Sequence, residues 1–201
     1  MSTRDERADA TREALLLVAR DLFGTRGYAG VGTELIVERA GVTRGALYHH
    51  FDGKKELLRA VYEQFEAEIV AGIATKMAMQ TGPGQNLTDP LALLLGGLSA
   101  FLDHCIDGTF IQIALLDAPT VLGWEAWRDI AERYGLGLIS AGLQGAMDAG
   151  QLRPLPLKPL THVVSGAIDE AAMYIANADD PVAARHEIEP VLIALIDGLR
   201  P

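Results

Sequence analysis

Apolar residues recur along the chain at helical rather than strand spacing. Leu15, Val18, Ala19, Leu22 and Phe23 fall at i, i+3, i+4, i+7 and i+8, one stripe of an amphipathic helix. Gly27 and Gly30 in "TRGYAG" supply its stop. The next apolar positions predict a short helix over Thr33–Ala40, broken by Gly41, and a second over Arg44–His50 after only a few residues. From Lys54 onward Leu57, Leu58, Val61, Tyr62, Phe65, Ile69 and Ile73 sustain one stripe without a proline. They predict a fourth helix reaching Met79, about 40 Å long at the helical rise.

"TGPGQNLTDP", Thr81 to Pro90, is the clearest loop signal. Beyond it lie apolar segments near 90–106, 109–118, 122–149, 159–178 and 182–199, separated by Asp107-Gly108, Ala118-Pro119, the proline-rich "GQLRPLPLKP" and "NADDP". No stretch alternates apolar and polar residues between turn signals as strands do, and no internal repeat is present. The pattern predicts an all-α protein of about nine helices. Its first three form a small domain over residues 1–53, and the rest form a larger one over 54–201.

Composition adds limits to this picture. The chain has 201 residues, 49% hydrophobic and 22% charged, enough for a proper core and unlike a disordered chain. The longest apolar run, Leu91 to Leu102, is too short to span a bilayer, so no membrane partner is expected. The charged start "MSTRDERADATRE" lacks the apolar core of a secretory signal, and Cys105 is the only cysteine. A cytoplasmic protein with a buried, inert thiol is expected.

Net charge is −10, which argues at first against a polyanionic partner. Its distribution reverses that argument. Residues 1–60 carry 10 Lys and Arg against 9 Asp and Glu, leaving 7 against 18 in the remainder. A nearly neutral head can approach DNA while an acidic body stays off it.

Helix, tight turn and short helix is the helix-turn-helix plan, in which the second helix enters the major groove. In "GVTRGALYHHF", residues 41–51, Leu47 and Phe51 share one face, able to pack on Phe23, Ile36 and Val42. Arg44, Gly45, Tyr48 and His49 share another, polar, aromatic and basic. Gly45 has no side chain to hold DNA away, though it costs about 1 kcal/mol against alanine in a helix. A merely solvated face would read the same way. Adjacent histidines diverge on a helix and do not suit one metal ion; no metal or other cofactor is expected.

The segment from Phe23 to Phe65 strongly resembles the DNA-binding domain of the TetR family of bacterial transcriptional repressors. The resemblance rests on "RAGVTRGALYHHF", the lysine three residues past its phenylalanine, and the upstream "FGTRGY". It implies that Arg44 reads base edges, with arginine the usual bidentate partner of guanine. Thr43 and Gly45 would meet backbone or a base, Tyr48 and His50 would bind phosphate, and His49 would lie near bases or sugar. Lys54 would grip phosphate at the start of the fourth helix, and Thr33 would donate its hydroxyl to another. Two positions depart from the pattern: Gly32 stands where a Ser or Thr cap is common, and Glu34 where some members present a base. A carboxylate facing DNA is repulsive, so Glu34 is expected to turn aside or to penalise wrong sequences.

The same resemblance implies a homodimer and a small-molecule inducer bound by the larger domain. Two stripes suit an isologous four-helix interface: Leu160, Val163, Val164, Ala167, Ile168, Ala171 and Ile175, with Gly166 beside them, and Ile188, Val191, Leu192, Leu195 and Leu199. They suit a monomeric core equally well. Phe101, His104, Phe110, Gln112, Trp124, Trp127 and Tyr134 are candidates to line an apolar pocket, with Trp124 and Trp127 foremost because "LGWEAW" opens a long predicted helix. Cys105 and Met147 lie on the same segments, and residues of these kinds are more often plain core than pocket wall.

The expected function is a sequence-specific DNA-binding regulator, a repressor that leaves a palindromic double-stranded operator when its inducer binds. No nucleophile elbow, zincin motif or phosphate loop is present, so an enzyme is not expected. The alternative is a helical ligand-binding or interaction protein with little DNA binding.

Overall fold

A computed structural model describes residues 3–80 and 89–201. They form ten helical segments and no strand, as the all-α pattern predicts. The predicted loop lies outside the described residues up to position 88. The chain divides into two compact units, one of Met1–Phe65 with Gly108–Arg128 and the other of Glu66–Asp107 with Asp129–Pro201.

In the first unit α1 (Thr3–Arg26) packs against α2 (Thr33–Ala40) and α3 (Arg44–His50). The boundaries of α2 and α3 match the predicted ones because their signals are local. Leu15, Ala19, Leu22, Phe23, Val31, Ile36, Leu47 and Phe51 are buried, and Val42 is half-buried. The helix α4 (Lys54–Gln80) adds Leu57, Leu58, Val61, Tyr62 and Phe65 to this core.

A further helical segment of the unit begins as α6 (Gly108–Phe110), widens into a π-helix over Ile111–Asp117 and closes as α7 (Ala118–Leu122). It lies against α1 closely enough that a Cβ on Gly24 would stand 2.4 Å from the Thr109 Cγ2. The Ala118 amide reaches back five residues to the Ile113 carbonyl, and the next bond of that series would need an N–H that Pro119 lacks. The Ala114 carbonyl so orphaned accepts instead from the Trp127 indole Nε1 at 2.8 Å.

The second unit is a bundle of α5 (Pro90–His104), α9 (Gly135–Asp148), α10 (Leu157–Ala176) and α11 (Pro181–Asp197). Asp89 caps α5 by accepting from the Ala92 amide at 3.1 Å, and Gln151 donates to the same carboxylate at 2.7 Å. Arg185 of α11 is buried. It donates to Asp103 at 2.7 Å, to the Ser99 hydroxyl at 2.8 Å and carbonyl at 3.1 Å, and to Glu189. A guanidinium removed from water is tolerable only with such complete pairing.

One predicted feature differs from the structure. The apolar segment 122–149 is not one helix: α8 (Trp124–Arg133) ends at Tyr134, whose backbone leaves the helical region at φ −119 and ψ −102 before α9 begins. Gly135 and Gly137 favour continuation too weakly to prevent the break. The two apolar stripes of α10 and α11, which suit an interface or a monomeric core, are divided. Val164, Ile168, Ala171, Ile175 and Leu192 are core, whereas Val163, Val191 and Leu195 face outward.

Cys105 is fully buried, and burial first, then the charges of Asp169 and Asp103, push its thiol up from 9.0 to about 12. The raised value favours the folded state fully below about pH 9, and this advantage is lost as pH climbs towards 12. At pH 8 the native thiol is expected to resist a disulfide reagent such as Ellman's, with labelling appearing only as urea unfolds the chain.

Candidate nucleic-acid interface

The turn between α2 and α3 is built by backbone chemistry. Gly41 takes the left-handed conformation at φ 66, ψ 28, its amide donating to the Glu38 carbonyl at 3.2 Å while Val42 donates to Val37 at 3.0 Å. This is the Schellman arrangement, and it requires a residue that adopts positive φ without strain. Two residues later the Thr43 hydroxyl accepts from the Ala46 amide at 3.2 Å and caps α3. At the other end of the motif Gly32 precedes α2 with no side-chain cap.

Leu47, with no exposure, and Phe51 anchor α3 inward, and the Arg12 guanidinium lies 5.5 Å from the Phe51 ring centroid. The opposite face carries Thr43, Arg44, Gly45, Tyr48 and His49, all exposed, with His50 half-buried at its edge. The Arg44 guanidinium lies 5.6 Å from the Tyr48 ring centroid. Its hydrogen bond with Tyr48, followed by the charges of Tyr48 and Glu34, holds its pKa above the ordinary value. The His49 and His50 rings meet edge to face at 5.2 Å. A Cβ on Gly45 would touch only the Thr43 hydroxyl, at an ordinary 3.8 Å, so nothing inside the chain demands glycine there.

Glu34 does not turn aside. Its Oε1 stands 3.4 Å from Arg44 Nη1, and its Oε2 accepts from the Thr33 hydroxyl at 3.3 Å. These contacts join the start of α2 to the start of α3.

The structure gives Lys54 an occupation that sequence reading did not foresee. Its Nζ donates to the carbonyls of Tyr28 at 2.9 Å and Val31 at 2.8 Å and lies 3.8 Å from the Tyr28 ring centroid. Burial lowers its pKa, an effect opposed by the charge of Asp117. Two of its three N–H bonds are therefore spent inside the unit, fastening the α1–α2 connection to the start of α4. Asp117, at the end of the π-helix, accepts from the Tyr28 amide at 2.7 Å and holds the same connection from another side. Only a ring of partners far apart in sequence reveals this role.

The candidate pocket residues are not gathered in one unit. Phe110, Gln112, Trp124 and Trp127 belong to the first, and Phe101, His104 and Tyr134 to the second. Trp127 is a core residue whose indole N–H is committed to Ala114. Trp124 is 63% exposed and its ring is tilted against that of Trp127 at 5.0 Å between centroids, with the Arg128 guanidinium 4.7 Å from both ring centroids. Gln112 is half-buried against the α1–α2 connection, where a Cβ on Gly27 would meet its amide nitrogen at 3.3 Å. Phe110 is buried against Phe65, with 6.1 Å between ring centroids. Phe101 and Tyr134 are half-buried, and His104 is exposed with its Nε2 3.1 Å from the position of a Cβ on Gly72. A recess of about 560 Å³ lies at the end of α10 between Glu170, Met173, Tyr174 and Asn177 to Asp179. It is open to solvent and carries carboxylates, so it lacks the enclosed apolar walls typical of a small-molecule site.

Known proteins share both parts of this architecture. A family model described as bacterial regulatory proteins of the tetR family matches residues 15–61, and one described as a tetracyclin repressor-like C-terminal domain matches residues 91–199. The transposon Tn10 TetC protein of Escherichia coli is 30% identical over 174 residues, 87% of this chain and 84% of its own. The transcriptional activator FasR of Mycolicibacterium smegmatis is 37% identical over 100 residues, 50% of this chain and 41% of FasR. Among solved structures, a TetR-family transcriptional regulator from Pectobacterium atrosepticum shares 30% identity, with 99% of this chain and 98% of that one covered at a TM-score of 0.74. With a helix-turn-helix unit, a helical bundle and matches over both, the chain belongs to the TetR family of bacterial transcriptional regulators.

Proposed function

We propose that the chain is a homodimeric repressor that occupies a palindromic operator and leaves it when a small molecule binds the C-terminal part. Residues 1–53 form the DNA-reading domain in this reading, and 54–201 the ligand-binding and dimerisation domain. The observation that carries it is the outer face of α3, where an exposed arginine, glycine, tyrosine and histidine stand over a helix fixed from below by Leu47 and Phe51. Arg44 reads a base edge, Thr43, Gly45 and His49 lie close to the bases or backbone, and Tyr48, His50 and Thr33 bind phosphate. Lys54 contributes by fixing the α1–α2 connection from which α2 starts.

Support for a dimer comes from α10 and α11. Val163, 70% exposed, and Leu195, 59% exposed, are apolar side chains left in water, as are Val191 and Tyr174. An isologous pairing of these helices covers them and sets two heads one helical turn of DNA apart. Support for release comes from the Asp117 carboxylate. A ligand that shifts the segment from Gly108 to Leu122 pulls on the Tyr28 amide, and through the Lys54 contacts on the entry to α2.

The test is footprinting of the DNA upstream of the chain's own gene. A protected palindrome is expected, with binding that weakens steeply with salt, about 0.9 in log–log slope per phosphate engaged. Absence of protection at any salt overturns the reading. Deletion of the gene should raise transcription of a reporter placed behind that palindrome; a fall would make the protein an activator, as FasR is named.

Gly45→Ala separates a DNA-facing surface from a merely solvated one. Alanine is the better helix former by about 1 kcal/mol, so the melting temperature should rise by about 2–4 °C. Its methyl projects towards DNA, so operator affinity should fall about tenfold, or about 1.4 kcal/mol.

A further inference from the structure

Glu34 brings negative charge to a surface that meets phosphates, yet it is tied into that surface. Its two oxygens engage the Thr33 hydroxyl at 3.3 Å and the Arg44 guanidinium at 3.4 Å. These donors stand at the first residues of α2 and α3. A carboxylate that bridges a hydroxyl and a guanidinium makes the contacts that a backbone phosphate would otherwise make with the same two groups. Packing does not explain its position, because the side chains of Glu34 and Arg44 are 72% and 64% exposed, and exposed pairs of this kind add little to stability.

We infer that Glu34 is a specificity-determining residue of the interface, an internal anion that keeps Arg44 from indiscriminate phosphate contact. The inference rests on the reading that α3 enters the major groove. Non-specific binding is almost wholly phosphate contact. To take Arg44, a phosphate must displace the carboxylate and then lie beside it, like charge against like charge. A guanine edge accepts two N–H bonds from Arg44 without bringing that charge, so the correct sequence repays what an arbitrary one does not. Glu34 therefore lowers affinity for all DNA but lowers it most for the wrong DNA.

The experiment uses full-length wild type, Glu34→Gln and Glu34→Asp. The probes are a duplex that the wild type enriches from a random-sequence pool and a scrambled duplex of equal length. Affinities are measured by fluorescence anisotropy over a series of potassium chloride concentrations. Removing the charge in Glu34→Gln should tighten binding to the scrambled duplex about tenfold and to the enriched duplex no more than about threefold, with the salt slope on scrambled DNA steeper by about one. Glu34→Asp should retain the wild-type ratio. Equal shifts on both duplexes, or none, with wild-type discrimination intact would overturn this inference alone. A wild type that enriches no sequence overturns the groove reading and this inference with it. Folding is monitored by thermal melting, which an exposed position should leave near the wild-type value.

Discussion

Replacing Val191 and Leu195 together by glutamate should yield a folded monomer whose operator affinity is lower by about 10²–10⁴-fold. Both side chains project from α11 into solvent while Leu192 and Ile196 hold the same helix to the bundle, so the substitution leaves the protomer's core intact. In an isologous interface built on this face the four new carboxylates of the two copies are buried close together, adding repulsion to lost apolar burial. A dimer places the second head at high effective concentration over its half-site once the first is bound. A monomer has to bind each half-site independently. Sedimentation velocity should show half the wild-type mass, circular dichroism should keep its helical signal, and gel retardation should report the loss of affinity. A variant that stays dimeric would move the interface away from α11.

Arg44→Ala is the second large effect expected. Truncating a base-reading arginine costs about 1–3 kcal/mol per half-site and relaxes specificity at one base pair. On a palindromic site the cost doubles, because both protomers would lose the contact. The distinguishing readout is positional: a library of operator variants should lose preference at one symmetric pair of positions and keep it elsewhere. A uniform loss over all sequences would make Arg44 a phosphate contact. Unchanged binding would refute its role at the interface. Stability should change little, since Arg44 and its pair with Glu34 are exposed to solvent.

Legibility in the sequence followed the range of the physics involved. The boundaries of α2 and α3 could be read from a few neighbours, because the Gly41 left-handed turn and the Thr43 cap are decided by residues within a helical turn. The inward positions of Leu47 and Phe51 followed from helical period alone. Side chains that answer to partners far along the chain did not show those partners in the sequence. Lys54 read as a phosphate ligand, and its bonds to carbonyls 26 and 23 residues away were not visible there. Trp127 read as a candidate pocket residue, and the bond from its indole N–H to the Ala114 carbonyl was not visible either. The α10 and α11 stripes were correctly seen as apolar, but period could not say which edge is core and which faces outward. That division depends on where α5 and α9 lie.

By itself the sequence determined an all-helical chain, a helix-turn-helix with its polar face on Arg44, Gly45, Tyr48 and His49, and a head separated in charge from an acidic remainder. These rest on period, on turn chemistry and on residue type, all of which act locally along the chain. The tertiary structure alone decided that Glu34 meets Arg44 and Thr33, that Asp117 and Lys54 clasp the α1–α2 connection, and that Leu195 and Val163 remain in water. Such outcomes depend on distances between segments remote in sequence, which only the packed chain sets.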